Sequence, residues 1–171
     1  TFRVALVVPD GPPRRDAPVP GIDRLAGQRV LIVDDGPASR DTLFETLSGW
    51  GMQPRATSSP REALAWVGAG EPFDLGLIDE EMAEVDGRRF AESLRRFRDA
   101  DALPLVLVTS RGRRAGGARA PFAAVVARPV RPRALASVLA GLRDDSVSRR
   151  RRRSSPALPK ELGVSHPLRV L

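Results

Sequence analysis

Val30-Leu31-Ile32-Val33-Asp34-Asp35 is the stretch that decides the fold: four apolar residues run straight into two carboxylates. The run is too short for an ordinary helix and has no polar alternation. Both of its faces are therefore expected to be covered, as in the interior of a parallel sheet. The same design recurs along the chain. Leu75-Gly76-Leu77-Ile78 ends in Asp79, Leu105-Val106-Leu107-Val108 ends in Thr109, and Ala123–Ala127 ends in Arg128. A weaker run lies near Gln53–Ala56.

Segments of helical length separate these runs. Ala38–Leu47 sets Leu43, Phe44 and Leu47 on one stripe. Ser59-Pro60-Arg61-Glu62 is a helix start, with a capping serine, proline at the first helical position and glutamate to close a capping box. Ala63, Leu64 and Val67 are then expected to face the sheet. Arg88–Arg98 places Phe90, Leu94 and Phe97 on one face and arginine on the other, and Arg131–Leu142 turns Leu135, Val138, Leu139 and Leu142 inward. Strand and helix thus alternate about five times, which predicts an α/β fold with a doubly wound, five-stranded parallel sheet.

Composition narrows the function. The 171 residues contain no Cys and a single His, His166, so thiolate metal sites, multi-histidine metal sites and a Ser-His-Asp triad are set aside. No apolar run is long enough to cross a membrane, and nothing reads as a signal peptide, so a cytoplasmic chain without a membrane partner is expected. The net charge of +7 invites a nucleic-acid reading, but it is not spread evenly. Residues 29–145 hold 17 Arg against 17 acids, whereas residues 146–171 hold seven basic residues and one Glu. The excess is a tail centred on Arg149–Arg153, and no nucleic-acid partner is expected. Residues 111–133 carry seven Arg and no acid, either a docking surface or a solvated face.

In a doubly wound sheet, function gathers at the carboxyl ends of the strands. Those ends here carry Asp34, Asp35, Asp79, Thr109, Ser110 and Arg128. Three carboxylates at one edge stay ionised together only with a cation among them. With oxygen ligands alone, that cation is hard, Mg²⁺ or Mn²⁺. A hydroxyl and a fixed guanidinium beside it suit phosphate oxygens. Metal, carboxylate, hydroxyl and cation together make a site for phosphorylating an aspartate. A haloacid-dehalogenase-like phosphatase also uses an aspartate nucleophile. It would need Asp-x-Asp-x-Thr where this chain reads Asp79-Glu80-Glu81-Met82-Ala83.

These motifs resemble the receiver domain of two-component response regulators. The matching residues are Val30–Asp35, Asp74–Asp79 with Met82 and Asp86-Gly87, Leu107–Ser110, and Arg128-Pro129-Val130. The gaps of 44 residues from Asp35 to Asp79 and 30 from Asp79 to Thr109 are similar to the family's. The resemblance implies the flavodoxin-like receiver fold and makes Asp79 the phospho-acceptor. Asp35 would bind Mg²⁺ directly, Asp34 through water and Glu81 through its backbone carbonyl. Thr109 would be the switch hydroxyl, Arg128 the phosphoryl-contacting cation, with Ser110, Val125 and Pro129 beside them. The donor would be a phosphohistidine on a histidine kinase or histidine phosphotransfer domain. A cis Arg128–Pro129 bond is implied as well.

The chain departs from the family pattern in four places. Arg128 replaces a lysine, Val125 an aromatic residue and Ala83 a proline, and the stretch from Thr109 to Arg128 is about three residues short. Glycines 112, 116 and 117 in that stretch predict a short or frayed fourth helix. If Arg128 does not reach Asp79, it is expected to turn outward to an acid such as Glu80. A degenerate pseudo-receiver, serving as a protein-interaction scaffold, is the alternative reading. Residues 28–145 are assigned to the receiver, 11–27 to a Pro-rich linker and 146–166 to an Arg/Ser/Pro linker. Residues 1–10 resemble the last strand of a kinase ATP-binding domain, and 167–171 echo the start of the receiver. Both ends fit a hybrid sensor histidine kinase with tandem receivers, in which this portion would not itself be the kinase.

Overall fold

The computed structural model describes residues 21–110 and 120–154, with side chains as far as Asp144. Five strands form one all-parallel sheet: β1 (Arg29–Val33), β2 (Gln53–Thr57), β3 (Leu75–Asp79), β4 (Leu105–Thr109) and β5 (Ala124–Ala127). Their order across the sheet is β2-β1-β3-β4-β5. The register pairs Val33 with Thr57 and Ile78, and Asp79 with Val108. Four helices are described: α1 (Pro37–Gly49), α2 (Pro60–Gly68), α3 (Gly87–Leu94) and α4 (Pro132–Ser154). The expected short fourth helix of Arg111–Pro121 falls almost wholly outside the described residues.

The unalternating apolar runs have a direct consequence. Successive strand side chains point to opposite faces, so each run supplies two cores. Val30, Ile32, Leu77 and Val106 pack under α1 and α4, against Leu43, Leu47, Leu135 and Leu139. Leu31, Val33, Ile78 and Leu107 pack under α2 and α3, against Ala63, Val67, Phe90 and Leu94.

Several elements depart from the sequence expectation. Phe44 and Phe97 are exposed (42% and 53%), so α1 buries a narrower stripe than its periodicity implied and α3 a shorter one. Helix α3 stops at Leu94, and Phe97 lies beyond it, against Gly68. Arg95, expected on the polar face, is half-buried. Its guanidinium donates to the carbonyls of Leu103 (2.8 Å) and Pro121 (2.7 Å). The Ser59 cap forms, with its hydroxyl accepting from the Glu62 N–H at 3.4 Å. The box closes differently, however: Glu62 accepts from the Thr57 hydroxyl, which in turn accepts from the Ser59 N–H at 3.0 Å. The stretch assigned to a linker, 11–27, contains a 3-10 turn at Ile22–Arg24 and the fully buried Leu25. Helix α4 continues through Arg149–Arg153, also assigned to a linker; arginine is a good helix former, so a like-charged run need not end a helix.

Candidate functional site at the carboxyl edge of the sheet

Each functional side chain sits where its strand runs out. Asp34 and Asp35 follow β1, Asp79 closes β3, Thr109 closes β4, and Arg128 follows β5. Backbone bonds carry the ladder past the strand ends. The Asp34 N–H donates to Thr57 (3.2 Å), the Glu80 N–H to Val108 (2.8 Å) and the Arg128 N–H to Thr109 (2.8 Å). These bonds tie β1 to β2, β3 to β4 and β4 to β5 beyond the last paired residues. Gly87 places the start of α3. Its N–H donates to the Glu80 carbonyl at 3.0 Å. A Cβ there would collide with the Asp79 carbonyl and come within 3.1 Å of the Glu80 Cα. Only glycine lets α3 start so close to the Asp79 backbone.

The three carboxylates expected together are together: Asp34, Asp35 and Asp79 offer oxygens all within 4.8 Å of one another. Asp34 and Asp79 are buried, and Asp35 is more open. An all-oxygen, multiply charged donor set of this kind fits a hard divalent cation such as Mg²⁺.

Arg128 points into this cluster. Its Nη2 donates to Asp34 Oδ2 at 2.7 Å and lies 2.9 Å from Asp79 Oδ1, while Nη1 donates to the Ser39 hydroxyl. The outward pairing with Glu80 is therefore not what forms. Glu80 is itself buried and accepts the Thr109 hydroxyl. Thr109 is thus at the expected strand end, with its hydroxyl on Glu80. The Arg128–Pro129 bond is cis.

The remaining donors come from the loops and from the first turn of α1. Asp34 Oδ1 accepts the Gly36 N–H (2.9 Å), and Oδ2 also accepts the Ser39 hydroxyl (2.7 Å). Asp35 Oδ2 accepts the Ala83 N–H at 2.7 Å, a bond that a proline at this position could not make. Glu81 contributes its N–H to the Asp79 carboxylate. Ser110 and Pro129 are exposed at the rim, and Val125 is half-buried against the α2/α3 core.

Burial raises the Asp79 carboxyl above its ordinary value, against the lowering pull of Arg128; the Asp34 charge adds to the rise, and the Glu81 N–H opposes it. Arg128 is raised on balance: burial alone would lower it, but its bonds to Asp34 and Asp79 outweigh that effect. Sequence reading missed Ser39, Glu80 and the Ala83 N–H as members of the site. Ser39 carried a usable signal, since it lies in the first turn of a helix that begins two residues after the paired aspartates.

A doubly wound parallel sheet in the order β2-β1-β3-β4-β5, with its acid cluster at the carboxyl edge, is an α/β fold with its site at the strand ends. The chain belongs to the response regulator receiver domain family, whose model matches residues 30–139. It is similar to the cyclic di-GMP phosphodiesterase response regulator RpfG of Xanthomonas campestris pv. campestris, 32% identical over 134 residues, 74% of this chain and 35% of that protein. It is also similar to the sensor histidine kinase GacS of Pseudomonas protegens, 35% identical over 85 residues, 48% of this chain and 9% of that protein. The chain therefore spans about a third of the first relative and about a tenth of the second. Among solved structures, it resembles a CheY-like receiver domain from Methanospirillum hungatei JF-1, with TM-score 0.62, 23% identity, 72% of this chain and 99% of that one. A second CheY-like receiver, from Methylobacillus flagellatus, has TM-score 0.61, 24% identity, 68% of this chain and 99% of that one. These two likenesses concern the fold. Among the described residues, no helix is long and apolar enough to cross a membrane.

Proposed function

We propose that this receiver domain takes a phosphoryl group onto Asp79 from a phosphohistidine of a histidine kinase or histidine phosphotransfer domain. The observation that carries the reading is the placement of the Asp79 carboxylate, buried at the end of β3 with Asp34 and Asp35 oxygens within 4.8 Å. An Asp79 carboxylate oxygen forms the new O–P bond as the P–N bond breaks, and its electron pair leaves with the imidazole. The carboxylates of Asp34, Asp35 and Asp79, with the Glu81 carbonyl, would hold Mg²⁺. When bound, the ion offsets charge on the phosphoryl oxygens.

The chain's own groups do the rest. Burial of Asp79 limits water at the reacting oxygen. The Glu81 N–H orients the carboxylate. Arg128, 2.9 Å from Asp79 Oδ1, would exchange that carboxylate for a phosphoryl oxygen once Mg²⁺ is held. Thr109, at the end of the neighbouring strand, would exchange Glu80 for a phosphoryl oxygen. The parent polypeptide on this reading is a hybrid sensor histidine kinase.

The test uses a small phosphoryl donor, acetyl phosphate, with saturating Mg²⁺. Intact-mass and peptide analysis should place one phosphoryl group on Asp79, and Asp79→Asn should take none. One specific observation favours a second reading. Arg128 and Thr109 are both already engaged, Arg128 with Asp34 and Asp79 and Thr109 with Glu80, an arrangement that a receiver acting only as a scaffold could keep. Absence of modification at Asp79, with the fold intact, would favour the scaffold.

A further inference from the structure

We propose that Arg128 is a built-in competitor of divalent cation, so that the arginine sets the metal affinity of the acid cluster. The inference rests on reading that cluster as a Mg²⁺ site. Three carboxylates whose oxygens lie within 4.8 Å of one another need positive charge among them. The chain supplies one such charge itself. A single nitrogen of Arg128, Nη2, reaches both Asp34 Oδ2 and Asp79 Oδ1, at 2.7 and 2.9 Å. Nη1 is held by Ser39. The fork is thus aimed inward at two points and ties the ends of β1, β3 and β5 together.

The other donors add to the same effect. Gly36 and Ser39 occupy Asp34, and the Ala83 N–H occupies Asp35. A divalent ion entering the cluster needs oxygens that these groups already hold. Guanidinium cannot shed its proton in a protein, so its charge cannot be neutralised in place. The ion and the guanidinium repel at this range, and one must leave Asp79 for the other to bind. Arg128 has somewhere to go. It lines an open groove of about 620 Å³ between α1 and the segment after β5, with Ala38, Thr42, Leu43, Pro129 and Leu135. Its side chain is already 24% exposed. Mg²⁺ binding is therefore coupled to withdrawal of Arg128 from Asp79. A lysine here is a weaker competitor, because one ammonium lacks the planar fork that holds Ser39 and the two acids at once.

The experiment is calorimetric Mg²⁺ titration of the full chain, together with thermal melting in chelator and in Mg²⁺. The parent is compared with Arg128→Gln and Arg128→Lys. Removing the charge is expected to tighten Mg²⁺ about tenfold or more, while lowering the metal-free melting temperature, which Mg²⁺ then restores. Arg128→Lys is expected between the two. Equal or weaker Mg²⁺ binding by Arg128→Gln overturns the competition and leaves the metal-site reading standing. Failure of the parent and every variant to bind at tens of millimolar Mg²⁺ removes the metal-site reading, and the competition with it. If Arg128→Gln does not fold, Arg128→Lys decides: tighter binding than the parent supports the proposal, and equal or weaker binding overturns it.

Discussion

Thr109 and Glu80 form a buried pair across neighbouring strands: the hydroxyl at the end of β4 donates to the carboxylate of the residue just past β3. Removing the donor from a buried carboxylate costs about 1–3 kcal/mol. Thr109→Val is close in shape but has no hydroxyl, and it should lower unfolding free energy by about that much in chemical denaturation. An unchanged midpoint would mean that the pair contributes no net stability. Glu80→Gln, which keeps an acceptor for the hydroxyl, should cost less.

Divalent metal should stabilise the fold. A ligand that binds only the native state contributes about 2.7 kcal/mol at a hundred times its dissociation constant. Asp34, Asp35 and Asp79 are the only such acid cluster among the described residues, so the gain should come from there. Asp35→Asn removes one charge without emptying the core, and should abolish most of the Mg²⁺-dependent rise in melting temperature. A full rise in the variant would place the ion elsewhere.

Acidity offers a separate handle on Asp79. Its carboxyl is raised above the ordinary 3.8, chiefly by burial, so ionisation costs the folded state more than the unfolded one. The stabilising contribution is complete below the unfolded value and is lost as pH rises through the folded value. Without metal, Asp79→Asn should therefore be more stable than the parent at pH 7, an advantage that fades as pH falls below the ordinary carboxyl range. Urea midpoints in chelator at several pH values read this directly. A variant less stable at neutral pH would show that pairing with Arg128 outweighs burial.

Gly87 should tolerate no side chain. An added Cβ would strike the Asp79 carbonyl, which is backbone and cannot swing aside. Gly87→Ala should destabilise by about 2 kcal/mol or more, at the upper end of overpacking costs. It should also impair Asp79 modification, because α3 and the strand end cannot both keep their places. Normal stability and normal modification together would mean that the approach relaxes without consequence. Gly49, with open space around it, is the control: alanine there should be neutral or mildly stabilising.

The strands and the acid edge were legible in the sequence because one short pattern encodes both. Val30–Val33 and Leu75–Ile78 are buried on two faces, and each delivers its carboxylate to the same edge. The site's wiring was not legible, for a physical reason. Whether Arg128 meets Glu80 or Asp79 depends on which face of β3 each acid occupies, and Asp79 and Glu80 are adjacent, so both choices were open. The Ala83 bond arises from a loop path that no period encodes, and Ser39 had only its place in the first turn of α1 to mark it. Leu25 was hidden because a single apolar residue inside a Pro- and Gly-rich stretch carries no repeat, yet it fills the space beneath α4. Phe44 shows the opposite error. It fits the helical stripe of Leu43 and Leu47, yet it lies about 100° round the helix from Leu43, at the edge of the covered face, and stays exposed.

The two cores share no side chain, since one gathers Leu31, Val33 and Phe90 and the other Val30, Ile32 and Leu135. The sheet is thus a partition with a compartment on either side. Energetic cross-talk between the compartments must pass through β-strand main chain. Truncations in opposite compartments should therefore add, while truncations within one compartment should interact. The acids sit on the rim of that partition, where Val33 hands over to Asp34 and Ile78 to Asp79. A lineage could accordingly redraw either layer, and with it whatever that layer touches, while leaving the chemistry at the rim intact.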